Sequence, residues 1–196
     1  QILDCLRLRN KNFIKESTIK LASLIKTKKF NNLIFLNYSP ALEKFLYWCQ
    51  QMIAESLGKK NLGFLPVISN APKDHHSLLQ LYLDGPKDKI FNIFSLKSKF
   101  NETINTTKLI KEKNFLNKKK LDEIKNAQKN ALIKILFKKS TPFREFKIIK
   151  TNEEVLGRLF SYFMIETVIV GRLLGIDPFN QPAVEQIKIY TIQLLK

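Results

Sequence analysis

Glu55, a pair of adjacent histidines and a lysine on an apolar helix face are the side chains in this sequence best placed to move protons. Glu55 falls in the last turn of a helix that the spacing predicts after Ser39, with Gln51 one turn earlier on the same face and Trp48 beside them. The negative end of a helix disfavours a carboxylate and should raise its pKa. A carboxyl group poised toward neutral pH suits a general base or proton shuttle. The position also suits a solvated surface carboxylate ahead of Lys59 and Lys60, and spacing alone favours that plainer role. His75 and His76 follow Asp74 at the start of a predicted helix. Imidazoles there can exchange protons at physiological pH, or serve as a capping or surface pair. Lys188 falls with Val184, Thr191 and Leu195 on the apolar side of the last predicted helix, pointing inward. Either its stem packs while the ammonium snorkels to water, or the ammonium polarises or protonates a bound oxygen. Glu166, inside the most apolar helix, is expected to be a structural carboxylate with a backbone or arginine partner, because a lone buried charge is costly.

The elements that must position these groups alternate along the chain. An amphipathic helix is predicted over 13–27 and a buried strand at Leu33-Ile34-Phe35-Leu36. Ser39-Pro40 then opens a helix, with Ser as cap and Pro in the first turn, and Gly58 ends it as a left-handed stop. Strands follow at Phe64–Ser69, Ile90–Phe94 and Glu145–Ile149, and helices at Asp74–Leu83, Lys118–Leu136, from Thr151 to Leu174, and from about Gln181 to Leu195. Gly175 ends the penultimate helix. Strands alternating with helices argue for an α/β fold, a mostly parallel sheet in a three-layer α/β/α sandwich with long C-terminal helices. The reading is one domain over 1–196, with 176–196 as a C-terminal segment and helix.

The 196 residues, 44% hydrophobic and 26% charged, have the balance of a globular protein with an adequate core. That excludes a disordered tail, a collagen-like repeat and a disulfide-stapled miniprotein. Cys5 and Cys49 match no metal-ligand spacing, so a reducing compartment is expected. The longest apolar run, Leu159 to Leu174, contains Glu166 and Arg172, too short and too charged to span a bilayer. No signal peptide is read at the start. The chain opens Gln1-Ile2-Leu3, without an initiator Met and already in an apolar pattern, so a piece of a longer protein is expected. The net charge of +17 is mostly lysine. From Lys97 to Lys150 there are 16 basic and 5 acidic residues, accounting for 11 of the net charges. A nucleic-acid groove usually adds arginine and interleaved aromatics. This stretch pairs Lys with Asn, Ile and Leu, so a solvated basic face is expected rather than a specific nucleic-acid site.

Three segments carry a resemblance. Gln51-Met52-Ile53-Ala54-Glu55-Ser56-Leu57-Gly58-Lys59 resembles the QxxxES(L/N)GK segment of glucose-6-phosphate isomerases. Asp74-His75-His76-Ser77-Leu78-Leu79-Gln80-Leu81-Tyr82-Leu83-Asp84-Gly85-Pro86 is similar to their DQHSxLQLYxxGP segment. Asp177-Pro178-Phe179-Asn180-Gln181-Pro182-Ala183-Val184-Glu185-Gln186-Ile187-Lys188 is similar to their NPFDQPGVExxK segment. The three occur in the family's order at compatible separations, and the likeness is weak only over the basic middle. It is to the short bacterial form, C-terminal part.

The resemblance implies an SIS-type α/β/α fold in a cytoplasmic homodimer with a shared active site. It implies a sugar phosphate substrate, with glucose 6-phosphate and fructose 6-phosphate interconverted through a cis-enediol without metal or organic cofactor. Neither a membrane nor a specific nucleic acid is implied as a partner. Glu55 matches the base that moves the proton between C1 and C2. His76, four residues before Gln80, matches the histidine that assists ring opening from the other subunit, and His75 stands where the family usually has Gln. Lys188 matches a second ring-opening group, and Gln51 and Gln181 match glutamines that touch the substrate. Asn70-Ala71-Pro72 replaces the usual Gly-Thr pair before the second segment. The family's Ser/Thr-rich phosphate loop and its Gly-Gly-Arg segment are not found in this sequence. The arginine would stabilise enediolate charge, so this chain alone is expected to be inactive. A non-catalytic sugar-phosphate-binding module is the alternative, against which the presence of Glu55, His76 and Lys188 together argues.

Overall fold

The run Leu33-Ile34-Phe35-Leu36 lies in a buried strand, β1 (Asn32–Asn37), as its unbroken apolar character requires. The computed structural model describes residues 11–97, 102–105 and 115–196. Gln1-Ile2-Leu3, Cys5 and parts of the basic middle lie outside the described residues. The elements in order are α1 (Lys11–Lys26), β1, a 3₁₀ turn (Pro40–Leu42), α2 (Glu43–Leu57), β2 (Leu65–Asn70), α3 (Lys73–Ser77), α4 (Leu79–Asp84), β3 (Lys89–Leu96), α5 (Leu121–Lys138), β4 (Phe143–Ile148), α6 (Glu153–Leu173) and α7 (Pro182–Leu194). The four strands form one parallel sheet in the order β2-β1-β3-β4. β3 and β4 run in register from Phe91 opposite Phe143 to Leu96 opposite Ile148. The chain therefore has the α/β class, the parallel sheet and the C-terminal helices that the alternation predicts.

Contacts divide the chain into two compact units. The described part of one comprises 11–32, 45–66 and 152–196, and that of the other 33–44 with most of 67–151. The second unit contains nearly all of the sheet. Ile34 and Leu36 of β1 and Phe91 and Ile93 of β3 pack with Tyr82 of α4 and with Leu132 and Leu136 of α5. The two-residue period of the strands and the four-residue step of the helix put these side chains on facing surfaces. Phe91, Ile93 and Phe94 have no exposed surface; each such side chain contributes about 1.5–3 kcal/mol of burial. Lys129 of α5 is buried because its ammonium meets Glu145 at 2.6 Å and Ser95 at 3.3 Å. Burial pushes the Glu145 carboxyl up, but hydrogen bonds from Lys129 and Lys147 outweigh it and leave the group below its ordinary range.

In the first unit α1 packs on α6. The Glu166 carboxylate, almost fully buried, accepts from Ser17 Oγ at 2.7 Å and Tyr162 OH at 2.8 Å. These hydroxyls are donors the sequence does not single out, one from α1 and one a helical turn back on α6. Glu166 is a buried, hydrogen-bonded carboxylate as expected, but these donors are side-chain hydroxyls rather than the expected backbone or arginine group. Trp48 stacks edge-on against Phe160, ring centroids 4.5 Å apart, beside Phe45, so it serves the aromatic core. Cys49 is buried, and burial, with Glu166 adding, pushes its thiol far up, so it stays a protonated core residue.

Four local expectations are corrected. Gly58 is not a left-handed stop. Its N–H closes the last turn of α2 on Ala54 O at 3.0 Å, and the positive φ values fall later, at Lys60, Asn61 and Gly63. Ser39 makes no side-chain cap, and Pro40 opens a 3₁₀ turn before α2 begins. The helix predicted over Asp74–Leu83 is two short helices, because Leu78 leaves helical geometry at φ −120°. Lys118 sits at φ 58°, so α5 starts only at Leu121.

Candidate active site

The first unit brings together three of the residues singled out by sequence. Glu55 lies in the last turn of α2, half-buried, and Gln51 lies four residues earlier. Gln51 Nε2 donates to Glu55 Oε1 at 3.0 Å, as the one-turn spacing allows. Gln181 Nε2 donates to Glu55 Oε2 at 2.9 Å across 126 residues of sequence. Each carboxylate oxygen thus has one amide donor, which fixes the plane of the group and leaves further lone pairs on both oxygens. The amide oxygens of both glutamines remain acceptors.

The connector from α6 to α7 delivers Gln181. α6 ends at Leu173, and Gly175 just beyond it, at φ +67°, turns the chain where a side chain would be strained. Gly171 lets that turn close, since a Cβ there would come 3.2 Å from Pro178 Cβ. The Asp177 carboxylate then accepts the Phe179 N–H at 3.1 Å, a local turn that aims the chain at Gln181. Pro182 at the first position of α7 is the usual helix opening. Glu55, Gln181, Asp177, Asn61 and Arg172 line an open pocket of about 1150 Å³. Lys59, the last residue of the first resembling segment, and Lys60, a flanking charge in the sequence, also border it. Their signal was available: lysines directly after a helix end, where carbonyls are left without helical donors.

Lys188 does not point inward. Every residue of α7 is exposed, and the Lys188 ammonium pairs with Glu185 at 2.7 Å, one turn back. The apolar stripe that suggested an inward face is real in the sequence, but no described element of this chain covers it. His76 belongs to the second unit and lies on α3, one residue past His75. The two histidines sit in the last turn of this five-residue helix, not at the start of a longer one. His75 is the engaged member. Its Nε2 lies 2.6 Å from Tyr38 OH, with the rings edge-on at 89°. Burial lowers the His75 pKa, and the neighbouring Asp74 opposes that shift. Asp74 itself accepts from Asn70 N at 2.7 Å and Ser69 Oγ at 3.0 Å, tying α3 to the end of β2. Among the described residues no group of three or more His, Cys, Asp or Glu is placed to hold a metal ion. No helix among them is long and apolar enough to cross a membrane.

Fold and site together define a parallel α/β protein that presents a carboxylate gripped by two amides in the lining of an open pocket. No protein-family model matches the chain. Glucose-6-phosphate isomerase of Mycoplasmopsis synoviae (strain 53) is 33% identical over 205 aligned positions, covering 96% of this chain and 46% of that protein. The Methanocaldococcus jannaschii glucose-6-phosphate isomerase is 35% identical over 164 positions, 83% of this chain and 40% of that protein. Among solved structures, a hypothetical protein from Thermus thermophilus superposes with a TM-score of 0.79 at 25% identity, over 91% of this chain and 45% of that one. A glucose-6-phosphate isomerase from Chlamydia trachomatis shares the fold, with a TM-score of 0.65 at 16% identity over 84% of this chain and 34% of that one. The chain is similar to glucose-6-phosphate isomerases over most of its own length, and it spans slightly under half the length of these curated relatives.

Proposed function

We propose that this chain supplies the proton-transfer part of an aldose–ketose isomerase active site that interconverts glucose 6-phosphate and fructose 6-phosphate. The observation that carries the reading is the Glu55 carboxylate, held by Gln51 and Gln181 in the pocket lining. In the aldose-to-ketose direction a free oxygen lone pair of Glu55 takes the proton from C2 of the open-chain sugar. The C–H electrons form the C1–C2 double bond of a cis-enediolate, and the carbonyl oxygen at C1 takes up the negative charge. The hydroxyl proton of the C2 oxygen passes to the C1 oxygen, and the same carboxyl group returns the carbon-derived proton to C1 as the C2 oxygen becomes the carbonyl. One base serves both carbons because both face the same side of a cis-enediol. The amide oxygens of Gln51 and Gln181 accept sugar hydroxyls. Lys188 and His76 assist ring opening, His76 from a second subunit of a homodimer. The reaction uses no metal or organic cofactor, in an SIS-type sandwich working in the cytoplasm, with C-terminal residues 176–196 bringing the lysine.

The chain by itself is inactive in this reading. It lacks the family's phosphate loop and the arginine of the Gly-Gly-Arg segment, and binding energy from the non-reacting phosphate normally holds the sugar where the proton is taken. Misplacement by about 1 Å already costs roughly 10²-fold. The test is a coupled assay of fructose 6-phosphate conversion on the purified chain, with Glu55→Gln run beside it to exclude host enzyme. No turnover above that variant is expected. Turnover near that of an ordinary enzyme, abolished by the variant, would show that this part suffices.

A further inference from the structure

Two helix C-termini meet at the pocket, and two lysines lie where they meet. α2 ends at Leu57 and α6 at Leu173, so both present the negative ends of their helix dipoles. Lys59 Nζ donates to Ser56 O of α2 at 3.2 Å and to Asp177 O of the connector at 2.7 Å. Lys60 Nζ donates to Gly175 O at 2.8 Å. These contacts to the connector span 118 and 115 residues of sequence. The left-handed backbone at Lys60 and Asn61 bends the chain just after α2, and both ammonium groups reach the same connector. An ammonium has three donors and no acceptor, so it can serve several carbonyls at once while offsetting the like ends of the two helices.

We propose that Lys59 and Lys60 are positioning residues. They clamp the α6–α7 connector onto the end of α2 and so hold Gln181 on the Glu55 carboxylate. Gln181 is exposed and lies four residues beyond the clamped Asp177 carbonyl, so its reach to Glu55 depends on where the connector backbone is held. Gln51 needs no such help, because it shares the rigid frame of α2 with Glu55. The functional meaning of the clamp rests on the isomerase reading above, but the geometry it requires does not.

The experiment follows the side-chain amide resonances of Gln51 and Gln181 in the ¹⁵N-labelled chain while Glu55 titrates. Both amides should shift with one midpoint, and both shifts should vanish in Glu55→Gln. In the double variant Lys59→Met with Lys60→Met, Gln181 should lose its response while Gln51 keeps it, which also reports that α2 is intact. The double Lys→Arg variant should restore the Gln181 response. A Gln181 amide that still follows Glu55 in the Met variant would overturn the clamp, as would an Arg variant that loses the response as fully as Met. Should the double Met variant not fold, the single Lys60→Met variant, with an exposed side chain, is read in the same way. A chain that shows the clamp but cannot support isomerase chemistry when completed would overturn the functional reading and leave the clamp standing.

Discussion

At Glu55 the arrangement separates two jobs that one side chain must combine. The glutamine donors fix the orientation of the carboxylate, and the proposed proton transfer would use its remaining lone pairs. At the two histidines the structure separates roles as well: His75 is packed on Tyr38 and bonded to its hydroxyl, and His76 is not part of that contact. The His75 contact carries a pH dependence whose sign follows from its lowered pKa, caused by burial. Below about pH 6.5, the ordinary histidine value, the unfolded chain takes up the proton more readily than the folded one. The contribution is therefore complete above that pH and is lost as pH falls through the lower folded value. Thermal melts between about pH 7.5 and 5, a range that brackets the ordinary histidine value, should show the wild-type chain losing more Tm on acidification than His75→Gln, which keeps an acceptor but does not titrate. Parallel curves would contradict this. Motif register alone distinguished His76 from His75. It could not show that His75, the departure from the family pattern, is the one built into the fold, because Tyr38 is 37 residues away in sequence.

The elements that carry these residues follow local rules with few exceptions. α6 begins where Asn152 Oδ1 accepts the Val155 N–H at 3.0 Å, a side-chain cap legible in Thr151-Asn152-Glu153-Glu154. Asn152→Ala should cost about 1 kcal/mol of stability, measured by urea unfolding, with Asn152→Asp near neutral. A loss as large in Asp as in Ala would show that the cap is not the reason. Strands were legible because apolar runs such as Leu33 to Leu36 are bounded by polar residues, and the observed strand β1 extends that run by one residue at each end. The α2 stop departs from its local signal: Gly58 is the residue a left-handed stop prefers, yet the chain delays its turn to Lys60 and Asn61. The break at Leu78 was invisible to periodicity, since the apolar spacing runs through it. It comes with the tether of Asp74 to Ser69 and Asn70, a contact with a neighbouring strand.

For the whole molecule, the fully exposed α7 is the feature a single chain leaves unexplained by its own contacts. Ile187, Tyr190, Leu194 and Leu195, on it and at its end, are all exposed. The meeting of Gln181 with Glu55, the centre of the candidate site, was not legible from spacing. The pair is 126 residues apart, and the resemblance implies only that both serve one substrate, not that they bond to each other. The proposed shared site predicts complementation when this chain is joined to a phosphate-binding half to give an active isomerase. Mixing His76→Ala with Glu55→Gln subunits should restore part of the activity that each lacks, since mixed dimers would hold one site with both groups intact. No recovery, with subunit exchange demonstrated, would contradict a shared site.

Proton transfer by Glu55 is tested most directly by deuterium wash-in from solvent at the sugar C1 and C2 positions, followed by NMR in the complete enzyme. Glu55→Gln replaces the base with an amide of nearly the same shape that cannot take a proton. Wash-in and kcat should both fall by at least about 10²-fold, within the range of general base catalysis, with Tm little changed. Exchange at the wild-type rate in the variant would show that some other group moves the proton.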